Sequence, residues 1–323
     1  MNKARNVIIN SSIVLLTVLA GIVFVSQVGP RFDIYIFPPS PQRYVKMALG
    51  KMENGIYAQG DRWMQAKRNA AAEAEDCKNY EETYALLREA LAVAGGKHSA
   101  LLAQQSNQSA AQEQQMPTVC VDANDILVIT LPPYSAASQE ALMYAEKVIT
   151  ALRERSYAGI VVDLRDNVGG DMGPMIAALS PLLPDGQLMS FNIRGRLMPV
   201  TLKDGSVYGG GTPLTVDAFK VTDAPIAVLQ NELTASSGEM TLLAFRGLAH
   251  VKTFGSPSAG YCSCNTSFKL YDGALLQLTT GTVKSRTGEE FCEDAIEPDV
   301  AADSPMAAAK EWILRTQSIK ATK

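Results

Sequence analysis

Histidine is almost missing from this chain: 323 residues contain only two, beside five cysteines and two tryptophans. With so few histidines and only scattered acids, no cluster has the spacing of a zinc site. Excess positive charge is missing too. Lys and Arg number 29 against 33 Asp and Glu, a net charge of -4, so the basic face that grips a polyanion is not there. No glycine-rich loop opens a helix in the way that cradles phosphate, and no aromatic and basic residues interleave. No metal, no cofactor and no nucleic-acid partner is therefore expected, and no internal repeat is visible. An odd number of cysteines leaves at least one thiol unpaired in any intramolecular scheme. Outside the cytoplasm, Cys262 or Cys264 could pair with Cys292. Cys262-x-Cys264 is too short for a zinc knuckle, and on a strand its thiols would face opposite sides.

Charge is also absent from Val7 to Gly29. At a rise of about 1.5 Å per residue this run is long enough to span a bilayer as a helix. Lys3 and Arg5 before it favour a cytoplasmic N-terminus, and no small-x-small cleavage site follows it. The sequence predicts a single-pass anchor in the cell membrane over residues 1–29, with a cleaved signal peptide as the competing reading, and the rest of the chain extracytoplasmic. Residues 30–117 read as a small helical domain. A helix starts near Pro41, and a second has Asn79 and Glu82 as a capping box before Tyr80, Tyr84, Leu87, Leu91 and Ala94 at helical steps. Gln104 to Gln115 is a polar extension or linker. The core, 118–303, opens with a strand over Ile126 to Leu131 and a helix over Ala136 to Arg153, an α/β alternation. Residues 187–222 read as a β-rich cap, and 304–323 as a C-terminal helix.

The chemistry concentrates in Leu233-Thr234-Ala235-Ser236-Ser237-Gly238-Glu239-Met240, between the apolar strand Pro225 to Leu229 and an amphipathic helix. Ser236 would stand at the helix start, where unpaired N–H groups can stabilise an oxyanion beside an attacking oxygen. Serine is also a favoured N-cap, so this run alone does not make a nucleophile. Glu239, three residues on, fits a capping box or a carboxylate that orients the site. A second block runs from strand Gly159 to Asp163 through Leu164-Arg165-Asp166-Asn167-Val168 into Gly169-Gly170, whose glycines allow close backbone approach. Further blocks are Thr253 to Tyr261, Asp272-Gly273 and Pro298-Asp299.

In order and spacing these blocks resemble the tail-specific, or C-terminal processing, serine peptidases, over about residues 126 to 300. The resemblance implies an α/β core like the crotonase and Clp-protease folds. It also implies Ser236 as nucleophile and the amides of Ser237 and Gly170 as oxyanion hole. No peptide-binding PDZ module finds room in the sequence. One departure matters. Many members place a lysine base where this chain has Tyr261, and a phenol with a pKa near 10 is a poor base at neutral pH.

A serine hydroxyl needs a base within hydrogen-bond reach. His250 follows the nucleophile helix with nothing around it that suggests a site. His98 lies in Gly95-Gly96-Lys97-His98-Ser99, in a glycine-marked turn after a helix, where it is either a surface histidine or a base. Gly-Gly-Lys-His-Ser together with Thr-Ala-Ser-Ser-x-Glu-Met resembles the nisin resistance branch of the family, which pairs serine with histidine. That branch implies a lantibiotic peptide, such as nisin, clipped near its C-terminus. A general tail-specific peptidase and a non-catalytic, peptide-sequestering protein are the other readings that the sequence leaves open.

Overall fold

The computed structural model describes residues 16–26, 28–29, 34–104, 114–135, 138–154, 156–221 and 224–321. The chain divides into two compact units. The first comprises the described residues within Met1–Gly95, Ser99–Gln105 and Ser267–Leu278. Its helix α1 (Pro41–Met52) starts where the sequence places it, because the Ser40 hydroxyl accepts from Arg43 N and Pro41 needs no donor in the first turn. Tyr44, Val45, Ala48, Leu49 and Met52 then fall on one buried stripe. Helix α2 (Gly60–Glu73) buries Trp63 and Ala70. Before α3 (Tyr84–Gly95) the first half of the expected box forms, Glu82 N donating to Asn79 Oδ1, while the Glu82 carboxylate accepts from Asn79 Nδ2 and Lys78 N. A single 3-10 turn, Glu81–Thr83, intervenes. Strand β1 (Ala100–Leu102) pairs antiparallel with Leu275–Gln277. Asp272 in the same unit receives the hydroxyls of Tyr44 and Tyr84, at 3.0 and 2.6 Å. Residues 267–278, which the sequence reading counts with the core, thus pack in the helical unit, and their apolar Leu270, Ala274, Leu276 and Leu278 join its core.

The second unit is built on a six-stranded sheet. Strands β2 (Thr118–Val121), β3 (Ile126–Thr130), β4 (Gly159–Asp163), β9 (Ile226–Gln230), β10 (Val251–Gly255) and β14 (Val300–Ala301) lie side by side in the order β14-β10-β9-β4-β3-β2. All neighbours are parallel except β2 with β3. Strand β4 is buried along its whole length, as expected of a parallel strand covered on both faces. The period of two sorts the residues cleanly. Leu127, Ile129, Ile160, Val162, Ile226 and Val228 share one core with helices α4 (Ser138–Arg153), α5 (Met172–Ala178) and α6 (Ser237–Leu243). Val128, Val161, Ala227 and Leu229 share the other with Ala309 and Ile313 of the terminal helix α7 (Pro305–Ala321).

Between α5 and β9 the chain forms the antiparallel strands β5 (Gly186–Ile193), β6 (Arg196–Lys203), β7 (Ser206–Tyr208) and β8 (Leu214–Thr215), the β-rich segment that the alternation predicts. Strand β11 (Ser263–Lys269) follows the loop 256–262. Residues Thr282–Ser285 of β12 (Leu275–Ser285) pair with β5, and β12 is also joined by β13 (Glu290–Phe291). The architecture is mixed α/β with a helical N-terminal region. Of the expected anchor, Val7 to Gly29, residues 7–15 and 27 fall outside the described residues. Residues 16–26 are helical with Leu16, Val18, Leu19, Val23 and Phe24 exposed, but among the described residues no helix is long and apolar enough to cross a membrane.

Candidate active site

Ser236 sits where the turn after β9 becomes α6, with φ of 51° and ψ of -117°. A side chain rarely adopts that backbone, and it persists only where neighbours over-determine it. They do so here. Thr234 Oγ1 donates to Leu164 O at 2.9 Å and accepts from Asn231 N at 3.0 Å. Ala235 N donates to Asn167 O at 2.9 Å, and Ser236 N to Glu239 Oε2 at 2.9 Å.

The turn after β4 supports the same place. Gly169 and Gly170 have φ of +105° and +111°, in the region that favours glycine. A Cβ on Gly169 would stand 2.9 Å from the Ser236 Cβ and 3.0 Å from Ser237 N, while one on Gly170 would collide with the Tyr134 carbonyl. Buried Asn167 shapes the turn, its Nδ2 donating to Leu131 O and its Oδ1 accepting from Gly169 N. Tyr134 N donates to Gly169 O and Tyr134 O accepts from Asp171 N, a pairing that does not use the Gly170 amide. Ser237 Oγ donates to Gly170 O at 2.7 Å, so the two residues expected to supply oxyanion donors are adjacent.

Glu239 is fully buried and accepts four hydrogen bonds. Oε2 receives Ser236 N and Tyr261 N, at 2.9 and 2.8 Å; Oε1 receives Ser258 Oγ and Gly260 N, at 2.5 and 2.8 Å. Burial raises its carboxyl pKa, and the four donors oppose that shift. The carboxylate half of the capping box is present, and the same carboxylate fastens the segment 258–261 to the Ser236 turn. Tyr261, at the position of the family lysine, takes part through its amide.

His98 belongs to the second unit, which includes Gly96–His98. Its ring stands edge-on to the Tyr261 ring, centroids 5.3 Å apart at 86°. Its Nδ1 is 2.7 Å from Ser263 Oγ, and its carbonyl accepts from Asn265 Nδ2 at 3.2 Å. Ser236, Glu239, Tyr261 and His98 thus form one chain of contacts, although the hydrogen bond of the ring goes to Ser263. Burial lowers the imidazole pKa from its ordinary value of about 6.5 to about 4, with Glu293 raising and Lys97 lowering it. Lys97 lies beside the same loop: Nζ donates to Ala259 O at 3.2 Å and stands 4.8 Å over the Tyr261 ring, while its amide donates to Glu293 Oε1. His250 lends its backbone carbonyl to Ile226 N.

Several family-pattern residues serve the frame. Asp163 and Arg165 form a two-bond ion pair at the end of β4, and Asp299 Oδ2 accepts from both Thr253 N and Thr253 Oγ1. Cys262 and Cys264 are thiols, and among the described residues no disulfide joins either to Cys292. Sequence reasoning missed Ser263 and Tyr134, and it named Asn167 within its block without a role. Tyr134 follows the strand Ile126 to Leu131, whereas nothing around Ser263 marks it out.

Residues 125–302 match peptidase family S41. The nisin-resistance protein of Lactococcus lactis subsp. lactis is 38% identical over 288 residues, covering 88% of this chain and 91% of that protein. The carboxy-terminal processing protease CtpA of Bacillus subtilis is 26% identical over 182 residues, 56% of this chain but only 36% of its own length. Among solved structures, a lipoprotein from Streptococcus agalactiae superposes with a TM-score of 0.78 at 33% identity, covering 88% of this chain and 99% of that one. With its serine turn, paired glycines and buried glutamate in the family order, the chain belongs to peptidase family S41, in its nisin-resistance branch.

Proposed function

We propose that this protein is a serine peptidase that cuts a lantibiotic such as nisin near its C-terminus, with Ser236 as nucleophile and His98 as general base. The observation that carries the reading is the Glu239 carboxylate. By accepting from both Ser236 N and Tyr261 N, it ties the serine turn to the residue whose ring lies against His98. His98 takes the Ser236 proton as the oxygen attacks a peptide carbonyl, and the amides of Ser237 and Gly170 stabilise the tetrahedral oxyanion. The protonated imidazole then passes its proton to the leaving amine. Water attacks the acyl-enzyme, with the same base activating it, and releases the shortened peptide. Glu239 touches no reacting atom in this scheme and acts by positioning.

The lantibiotic substrate is supported by the nisin-resistance relative, which covers most of both chains. The uncharged run Val7 to Gly29 supports anchoring at the membrane, with the peptidase unit on the extracytoplasmic side where such a peptide arrives. The test is mass spectrometry of nisin after incubation with the wild-type protein and with Ser236→Ala. Wild type should release a C-terminal fragment and the variant none, with unchanged folding. Cleavage by Ser236→Ala would remove the serine from the mechanism. Trimming of unmodified peptides with nisin left intact would favour a general tail-specific peptidase. Resistance conferred in cells by an inactive variant would favour sequestration.

A further inference from the structure

We propose that Ser263 is a positioning residue for the histidine base, its hydroxyl accepting from His98 Nδ1–H and so keeping the lone pair on Nε2. The proposal rests on the assignment of His98 as base. An imidazole that is to receive the Ser236 proton must be neutral, with its own proton on the nitrogen away from the serine, and the partner of that nitrogen sets the tautomer. Nδ1 lies 2.7 Å from Ser263 Oγ. Ser263 is 1% exposed, so water does not compete freely for that bond.

The local chain makes the contact stiff. Ser263 N donates to Tyr261 O at 2.9 Å, a tight turn that fixes the hydroxyl relative to the Tyr261 ring standing edge-on to the imidazole. Two residues on, and so on the same face of β11, Asn265 Nδ2 holds the His98 carbonyl, with its own Oδ1 accepting from Thr279 Oγ1 at 2.8 Å. Ring, ring plane and backbone of His98 are each restrained from one short segment, 261–265. In Ser-His-Asp sites a carboxylate occupies the place that Ser263 holds here. A hydroxyl orients the ring equally well but supplies no negative charge to the imidazolium formed during the reaction. The charged groups that act on His98 are Glu293, whose Oε1 is engaged by Lys97 N, and Lys97 itself; Glu293 raises and Lys97 lowers its proton affinity, and burial lowers it further.

The experiment uses the full chain in detergent, with nisin or whichever peptide the wild type cuts, and Ser263→Ala, Ser263→Thr and Ser263→Asp. His98→Ala and Ser236→Ala are measured beside them. Ser263→Ala should lower kcat on the order of 10- to 100-fold, as loss of base orientation does, with KM nearly unchanged. Ser263→Thr should restore most of it. Ser263→Asp should move the acidic limb of the kcat/KM profile to higher pH. Nitrogen NMR of the imidazoles, simple with two histidines and assigned by His250→Gln, should find the proton on Nδ1 in the wild type and displaced in Ser263→Ala. An inactive His98→Ala together with wild-type rate, pH profile and tautomer in Ser263→Ala would overturn the role of Ser263 alone. An active His98→Ala would overturn the base assignment and this proposal with it.

Discussion

Replacing Glu239 with glutamine removes one charge and one acceptor from a site that uses four hydrogen bonds, and the structure states which will fail. The new amide has two orientations. With Nε2 in the place of Oε2, it faces Ser236 N and Tyr261 N, two backbone donors that cannot reverse. With Nε2 in the place of Oε1, it faces Gly260 N, which is orphaned, and Ser258 Oγ, which can turn to accept although it already accepts from Ile296 N at 2.7 Å. The second orientation loses less. One buried N–H without a partner costs about 1–3 kcal/mol, and weakening the remaining bonds from charge-assisted to neutral brings the total to about 2–4 kcal/mol. In a unit of this size that is a fall in Tm on the order of 5–10 °C. The surviving bond to Ser236 N keeps the Ser236 turn, so partial cleavage activity should remain. Glu239→Ala, which orphans every donor, should lose activity altogether. Thermal unfolding followed by circular dichroism, with cleavage rates at a temperature well below both transitions, reads the two effects separately. Wild-type Tm in Glu239→Gln would refute the idea that the four donors depend on an ionised acceptor.

Gly170→Ala should fold poorly or lose activity, because its Cβ meets the Tyr134 carbonyl at a φ of +111°; an active, stable alanine variant would count against the tight turn. His98→Ala should abolish cleavage about as completely as Ser236→Ala, since members of one catalytic unit are not additive, whereas Lys97→Ala and His250→Ala should leave most of the rate. The acidic limb of kcat/KM in the wild type should lie well below 6.5, toward the value of about 4 that burial gives His98, so cleavage at pH 5.5 should stay close to its neutral rate. The same lowered pKa fixes a sign for stability. Above 6.5 the imidazole is neutral folded or unfolded; as pH falls from there toward 4 the unfolded chain takes the proton first and stability declines, which unfolding midpoints across that window would test.

Local pattern made part of the site legible. The strand, turn and helix around Ser236, the paired glycines after β4 and the Glu239 carboxylate three residues past the serine all follow from short-range rules, as do the starts of α1 and the Asn79–Glu82 box. What the pattern could not supply were partners distant in the chain. One Glu239 bond, to Ser236 N, is local and fits a capping box; the others come from residues 258–261, which only the parallel pairing of β9 and β10 brings near. Residue type at position 261 speaks only for the phenol, whereas the bond to Glu239 is made by the Tyr261 amide, which any non-proline residue there would carry. Ser263 lies between two cysteines at a strand start, and no spacing rule links a serine there to a histidine in a turn much earlier in the chain. Residues 267–278 carry the end of one strand, a turn and the start of the next, but nothing in that pattern says which core their apolar side will join.

The buried carboxylate of Glu239 also bears on the order in which the molecule matures. Its donors, the glycine turn against Ser236 and the ring against Tyr261 come from segments far apart in sequence, and contacts that close long loops form only after the strands carrying them have docked. Before β10 pairs with β9, the serine turn and the 258–261 loop are not joined and His98 has no Tyr261 ring to stand against. A half-folded chain of this kind holds Ser236 and His98 without the contacts that run between them through Glu239 and Tyr261.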